Sequence, residues 1–247
     1  MKSSWDTLFG IPAPGWGFFL FSCSSIDFEE STQATFKSGK ESLSNGKYNK
    51  AKSEFEFVIL NSPFSLYAEE SYFYLAESKF HLEKYEDALV DYEKYLALPI
   101  RDISLSKKAQ LMICKAWFNL SNDVLKDQTD TKIAIDKLQY YIEKDSMKEY
   151  ISQIEDMILA LRNKLAEKDF KTALLYLKLD KKESAEVYFN SIVKEYYDSE
   201  YVSQSIMNIA LIKSEKDKQQ AINYLNLKKN LFSNESDFKN IIKLINQ

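Results

Sequence analysis

The chain offers chemistry one histidine, two cysteines and a scatter of carboxylates. A metal site would have only His81 and no clustered thiols to draw on. Ser-His-Asp chemistry would likewise have to run through His81 alone. No glycine-rich loop has the spacing of a phosphate cradle. Charged runs such as Glu69-Glu70, Lys181-Lys182-Glu183 and Lys216-Asp217-Lys218 read as solvated helix ends and turns. These residues argue against an enzyme and against any dissociable cofactor. The two thiols read differently from each other. Cys114 lies in a helical apolar run with Leu111, Trp117 and Phe118, the setting of a small, buried, inert thiol. Cys23 closes a short apolar stretch near the start of the chain, where a thiol is placed for modification.

That stretch, Trp16-Gly17-Phe18-Phe19-Leu20-Phe21-Ser22, is shorter than the roughly 20 apolar residues a membrane span needs. It resembles a secretory signal, and Leu20-Phe21-Ser22-Cys23 resembles a bacterial lipobox. The resemblance implies that residues 1–22 are a lipoprotein signal peptide and that Cys23 becomes the first residue of the mature chain. It also implies a diacylglyceryl group on the Cys23 thiol and an acyl chain on its amine. Several acyl chains anchor stably where a single one binds marginally. Ser24 after the cysteine implies the outer membrane, with the chain on its periplasmic face. Residues 23–32 are expected to be a polar, lipidated linker.

Beyond the linker, the residues must be positioned by helices. With 5 glycines and 4 prolines in 247 residues, a turn-rich all-β chain is disfavoured. The segments Gly46–Val58 and Glu83–Tyr95 are near copies: Tyr48, Ala51 and Phe55 recur as Tyr85, Ala88 and Tyr92, 37 positions on. A period in this range marks a helical repeat array. Marker alanines at 51, 88, 134, 185 and 221 give five helix pairs, the middle spacings being longer than the roughly 34 residues of an ordinary unit. Small residues at these points let two helix axes approach to about 8–10 Å. Gly39 and Ala76 take that place on first helices. The fold expected is an all-α solenoid of five tetratricopeptide (TPR) pairs. Units one to three occupy residues 33–147 and units four and five residues 148–232. The third carries a polar insertion at Ser121–Thr131, and the fourth opens with a long helix from about Lys148 to Leu179. Residues 233–247 present Phe238, Ile241, Ile242 and Ile245 on one helical face and are expected to cap the open end.

Three segments narrow the family. Asn45 to Ala51 with Pro63-Phe64-Ser65-Leu66-Tyr67-Ala68-Glu69, the long-helix stretch Leu161 to Phe170, and Ala173 to Glu200 resemble the BamD family of lipoproteins. That family belongs to the machinery that folds β-barrels into bacterial outer membranes. The resemblance implies a non-catalytic scaffold. Its first three units would bind unfolded outer-membrane protein precursors. Units four and five would dock the POTRA-bearing barrel subunit and small accessory lipoproteins. The alternative is another envelope TPR lipoprotein, such as a Tol-Pal coordinator or a peptidoglycan-associated scaffold. A Tol-Pal type would carry a coiled coil before its repeats, and no heptads precede residue 33.

In such arrays the first helix of each pair lines the concave side. The peptide-binding groove expected is therefore Phe36, Lys40 and Leu43, then Phe73, Glu77, Phe80 and His81, then Leu111, Lys115 and Phe118. Aromatics with scattered charges suit an extended or helical peptide with apolar anchors. Phe36 and Lys40 stand where carboxylate-gripping TPRs need lysine and asparagine, so that clamp is absent. A net charge of −4 with both signs interleaved leaves no basic face for nucleic acid.

Overall fold

The computed structural model describes residues 24–247 except 100, 101, 122 and 233. Among them it has eleven α-helices and no strand. They run α1 (Ser24–Ser44), α2 (Tyr48–Asn61), α3 (Leu66–His81), α4 (Tyr85–Ala97), α5 (Ile103–Leu120) and α6 (Thr129–Ile142), then α7 (Ile151–Lys178), α8 (Lys182–Glu195), α9 (Val202–Ser214), α10 (Lys218–Leu227) and α11 (Glu235–Asn246). Consecutive helices pair as hairpins, α1 with α2 through α9 with α10, giving the five-pair solenoid that the repeat period predicts.

Three hairpin corners share one construction. Gly46, Glu83 and Asp180 all adopt left-handed φ angles, +72°, +59° and +53°. Each donates its backbone N–H to the carbonyl three residues back: Gly46 to Leu43 (3.1 Å), Glu83 to Phe80 (2.9 Å) and Asp180 to Leu177 (3.0 Å). The next residue donates five back: Lys47 to Ser42 (2.8 Å), Lys84 to Lys79 (3.0 Å) and Lys181 to Tyr176 (2.9 Å). This double bond pattern is a Schellman motif, which satisfies the last carbonyls of one helix while turning the chain. The next helix then starts at once, so a three-residue corner makes a tight antiparallel pair. Elsewhere side chains start the helices: Ser65, Asp102 and Asp217 accept from the backbone N–H groups of Ala68, Leu105 and Gln220.

The marker alanines 51, 88, 134, 185 and 221 are fully buried, as close helix crossing requires. At Gly39 a Cβ would lie 2.7 Å from the Phe55 ring, so the glycine is what allows α1 to approach α2 there. Three apolar clusters fill the array. The first joins α1, α2 and α3 around Phe36, Phe55 and Leu75. The second runs from Phe73 on α3 to Leu165 on α7. The third starts at Ala166 on α7 and ends at Ile245 on α11.

The boundaries differ from the sequence expectation in three places. The polar stretch read as a linker up to residue 32 is helical from Ser24, because nothing in it stops a helix that α2 and α3 support further on. The helix expected from Lys148 is preceded by a 3-10 segment, Asp145–Tyr150, that tucks Met147 into the core, and α7 proper begins at Ile151. The division drawn between residues 147 and 148 crosses a continuous core, since Ile154, Leu161 and Leu165 of α7 belong to the same cluster as Phe73. The expected signal peptide, residues 1–22, and Cys23 lie outside the described residues. No described helix is long and apolar enough to cross a membrane.

Candidate functional site

The ten groove residues separate into two sets. Phe36, Phe73, Glu77 and Leu111 are buried at 6%, 0%, 6% and 7% exposure, so they are structural core and not open groove lining. The reason is geometric: a first helix in the array packs on its own partner and on the adjacent pair or pairs. Phe36 meets Phe55, Tyr67 and Tyr74 edge-on or tilted at 5.4–6.0 Å. Phe73 is surrounded by Tyr74, Tyr92 and Tyr95 at 5.2–5.8 Å.

The other six keep solvent contact. Lys40 is exposed, its amine over the rings of Tyr74 (4.8 Å) and Phe36 (5.5 Å), a cation–π pair that ties α1 to α3. His81 is exposed and stacks on Tyr48, centroids 4.6 Å apart and planes 8° from parallel. Phe80 is half-buried and meets Tyr85 edge-on at 5.2 Å. Leu43, Lys115 and Phe118 are half-buried. The structure thus brings His81 and Phe80 together with Tyr48 and Tyr85, the first residues of the two near-copy helices. Those tyrosines were visible as the repeat signature, but their aromatic partners at the end of α3 were not.

Glu77 has a different task. It accepts from the Tyr92 hydroxyl (2.6 Å) and from Lys108 Nζ (3.0 Å), linking α3, α4 and α5. Lys108 also lies 5.1 Å above the Phe73 ring. Burial, then the Glu77 charge and its hydrogen bond, push the Tyr92 phenol far above its usual range, so it stays a donor. Beside Tyr92 on α4, Asp91 is buried and paired with both Lys79 and Lys94. Asp91 and Lys94 are an i,i+3 pair, but no sequence spacing announces the inter-helix contacts: Glu77 and Lys108 stand 31 residues apart.

In the second half, the stretch Leu161 to Phe170 acts as a staple. Arg162 Nε donates to both carboxylate oxygens of Asp198 (2.9 and 2.8 Å), and Nη2 donates to the Glu195 carbonyl (2.7 Å). The guanidinium also lies over the rings of Tyr196 and Tyr197. Asn163 Oδ1 accepts from the backbone N–H of Glu200 at 3.1 Å. On the other side, Lys164 donates to Ser121 Oγ (2.6 Å) and Lys168 to the Lys126 carbonyl (2.6 Å), which fixes the third unit's insertion. The insertion folds around Gln128, whose amide donates to the carbonyls of Asp123 (2.7 Å) and Lys126 (3.0 Å).

Two clefts of similar size open on these halves. One, about 510 Å³, has Leu89, Val90, Trp117 and Leu120 among its lining and Glu86, Glu93 and Asp130 as its charges. The other, about 500 Å³, lies between the insertion, α7 and α8 and mixes Lys132 and Lys168 with Asp127, Asp169 and Glu195. Asp169 accepts from Ser191 Oγ at 3.1 Å, and burial raises its carboxyl above the ordinary value against that bond. Cys114 is fully buried, which pushes its thiol up to about 12 and makes it unreactive. Among the described residues no group of three or more His, Cys, Asp or Glu side chains could hold a metal ion.

A family model described as YfiO, outer membrane lipoprotein, matches residues 28–231, a span that runs from α1 to beyond α10. No curated protein matches the chain. Among solved structures, a thermophilic TPR protein from Thermus thermophilus is similar at 14% identity, with a TM-score of 0.36 over 87% of this chain and 98% of that one.

Proposed function

The chain belongs to the YfiO family of outer membrane lipoproteins, and from that premise we propose that it is the BamD-type scaffold of a β-barrel assembly machinery. The family match across residues 28–231 carries this reading, because it spans the whole hairpin array and not one generic repeat. The first three units receive unfolded outer-membrane protein precursors. Lys40, Phe80, His81, Lys115 and Phe118, with Leu43 beside them, are the expected groove residues that keep solvent contact. A precursor ending in an aromatic could place that ring against solvent-contacting aromatics such as the half-buried Phe80 and the Tyr48–His81 stack. Units four and five dock the POTRA-bearing barrel subunit, with small lipoproteins as further partners. Here the stapled Arg162–Asp198 corner and the mixed-charge cleft offer a preorganised polar surface. Diacylglycerol and acyl chains on Cys23 hold the scaffold at the periplasmic face of the outer membrane. The work done is holding, not catalysis.

Depletion of the protein tests the reading. Folded outer-membrane barrels should fall while other lipoproteins keep their levels, and unchanged barrels would overturn it. Affinity capture of the full chain should recover a POTRA-bearing barrel protein. Recovery of Tol-Pal components in its place would install the alternative scaffold.

A further inference from the structure

The corner between α2 and α3 is unlike the rest of the surface. Twelve consecutive residues, Phe57–Ala68, carry no charge. An equally uncharged run, Tyr201–Ile212, is accounted for by core packing, with Val202, Ile206, Ile209 and Ala210 buried. The corner is not accounted for in that way: Phe64 is 100% exposed, Leu60 78%, Leu66 71% and Phe57 46%. Nor is it a loose loop. Ser62 N–H donates to the Val58 carbonyl (2.9 Å), and Ser65 donates to the Ser62 carbonyl through both its N–H (3.0 Å) and its hydroxyl (2.8 Å). Ser65 Oγ then accepts from Ala68 N–H as the cap of α3. The tight bonding around Pro63 holds Phe64 out into solvent.

The position of the corner identifies what covers it. Thr32 on α1 and Ser62 are hydrogen-bonded, Oγ1 to Oγ at 2.7 Å, so the corner sits beside the first turns of α1. From Thr32 back to Ser24 the helix rises about 12 Å, at about 1.5 Å per residue. Cys23 is the next residue. We propose that the Phe57–Leu66 corner is a second membrane contact that inserts into the lipid surface beside the anchor. This rests on the lipid-anchored reading above. Leaning α1 toward the bilayer brings anchor and corner to one surface, where apolar side chains settle about 5–10 Å deep at the headgroup boundary. The contact is apolar rather than electrostatic, since the exposed charges on α1 just before Thr32 are the acidic Glu29 and Glu30. Two contacts fix a tilt that a single flexible anchor cannot, and so set which way the array faces.

The experiment uses the lipidated full-length protein bearing Phe64→Trp, reconstituted in phosphatidylcholine vesicles with and without brominated acyl chains. A fully exposed position should accept the indole without disturbing the fold, and the wild-type protein supplies the Trp117 background. The expected result is blue-shifted emission that falls at least about twofold on brominated lipid, consistent with interfacial depth, equally in vesicles containing phosphatidylglycerol. Adding Leu60→Ser and Leu66→Ser should return the emission to its water-exposed value. If the protein floats with vesicles but its emission stays water-like and unquenched, the corner does not touch lipid while the anchor stands. If wild-type protein and Cys23→Ala partition alike into the soluble fraction, the anchored reading fails and the corner with it. Burial of the indole only when a protein partner is added, without quenching by brominated lipid, would assign the corner to a protein interface and overturn the proposal.

Discussion

Between α3, α4 and α5 charge is taken inside the array, whereas around α7 and α8 it is kept at the rim. Glu77 and Asp91 are the buried carboxylates among the described residues, and both lie in the first half. Each is satisfied by partners from other helices: Tyr92 and Lys108 for Glu77, Lys79 for Asp91. The core from Ala166 to Ile245 is apolar apart from small hydroxyls; polar contacts of Arg162 and Lys164 tie loops to α7, and the partly exposed Lys213–Glu186 pair joins α9 to α8 outside that core. The contrast teaches how register is held. A buried acid tolerates one arrangement of three helices and penalises slippage. A rim staple instead fixes where a loop sits without dictating how the helices beneath it pack.

This difference can be broken in order of size. Glu77→Ala should cost the most, about 2–3 kcal/mol in urea unfolding, because it leaves the buried Tyr92 hydroxyl without its acceptor. Glu77→Gln, which still accepts that bond, should recover part of the loss. Arg162→Ala should cost about 1–2 kcal/mol and speed hydrogen exchange through residues 196–200 while the α3–α5 region stays protected. Arg162→Lys should rescue little, since an ammonium cannot reproduce the fork onto Asp198 and Glu195.

A smaller effect is expected at Asp169. Its carboxyl is raised in the folded protein, so the folded state favours the protonated form and pays a penalty at neutral pH. Asp169→Asn should therefore raise the melting temperature at pH 7. The gain should shrink as the pH falls and vanish below the ordinary value of 3.8, where both states hold the proton. The smallest effect sits at the corners. Glu83→Gly should stabilise by up to about 1 kcal/mol by relieving a left-handed glutamate, and Asp180→Gly by less, because aspartate tolerates that conformation better.

The hairpins were legible because their cause is local. Tyr48, Ala51 and Phe55 recur as Tyr85, Ala88 and Tyr92, and a small residue every unit is what close helix crossing demands. Gly46 marked one corner openly, but Glu83 and Asp180 make the same turn with no glycine to mark it. The groove was harder. Counting along a first helix selects its inward face but does not separate the side chains seated between helices from those at the edge. Phe73 and Phe80, one period-seven step apart on α3, fall on opposite sides of that line. Lys108, Asp198 and Ser121 could not be paired with their partners from sequence, since each contact spans more than thirty residues.

The helix α7 runs through both of the larger cores, with Leu161 and Leu165 seated in one and Ala166, Phe170 and Ala173 in the other. At 28 residues it is about 42 Å long. An array built on such a rod has no joint at its middle. Whatever seizes one end sets the bearing of the other, as a rule held at one end points its far mark. For the scaffold proposed above, the useful output would be a fixed span and heading between its two ends.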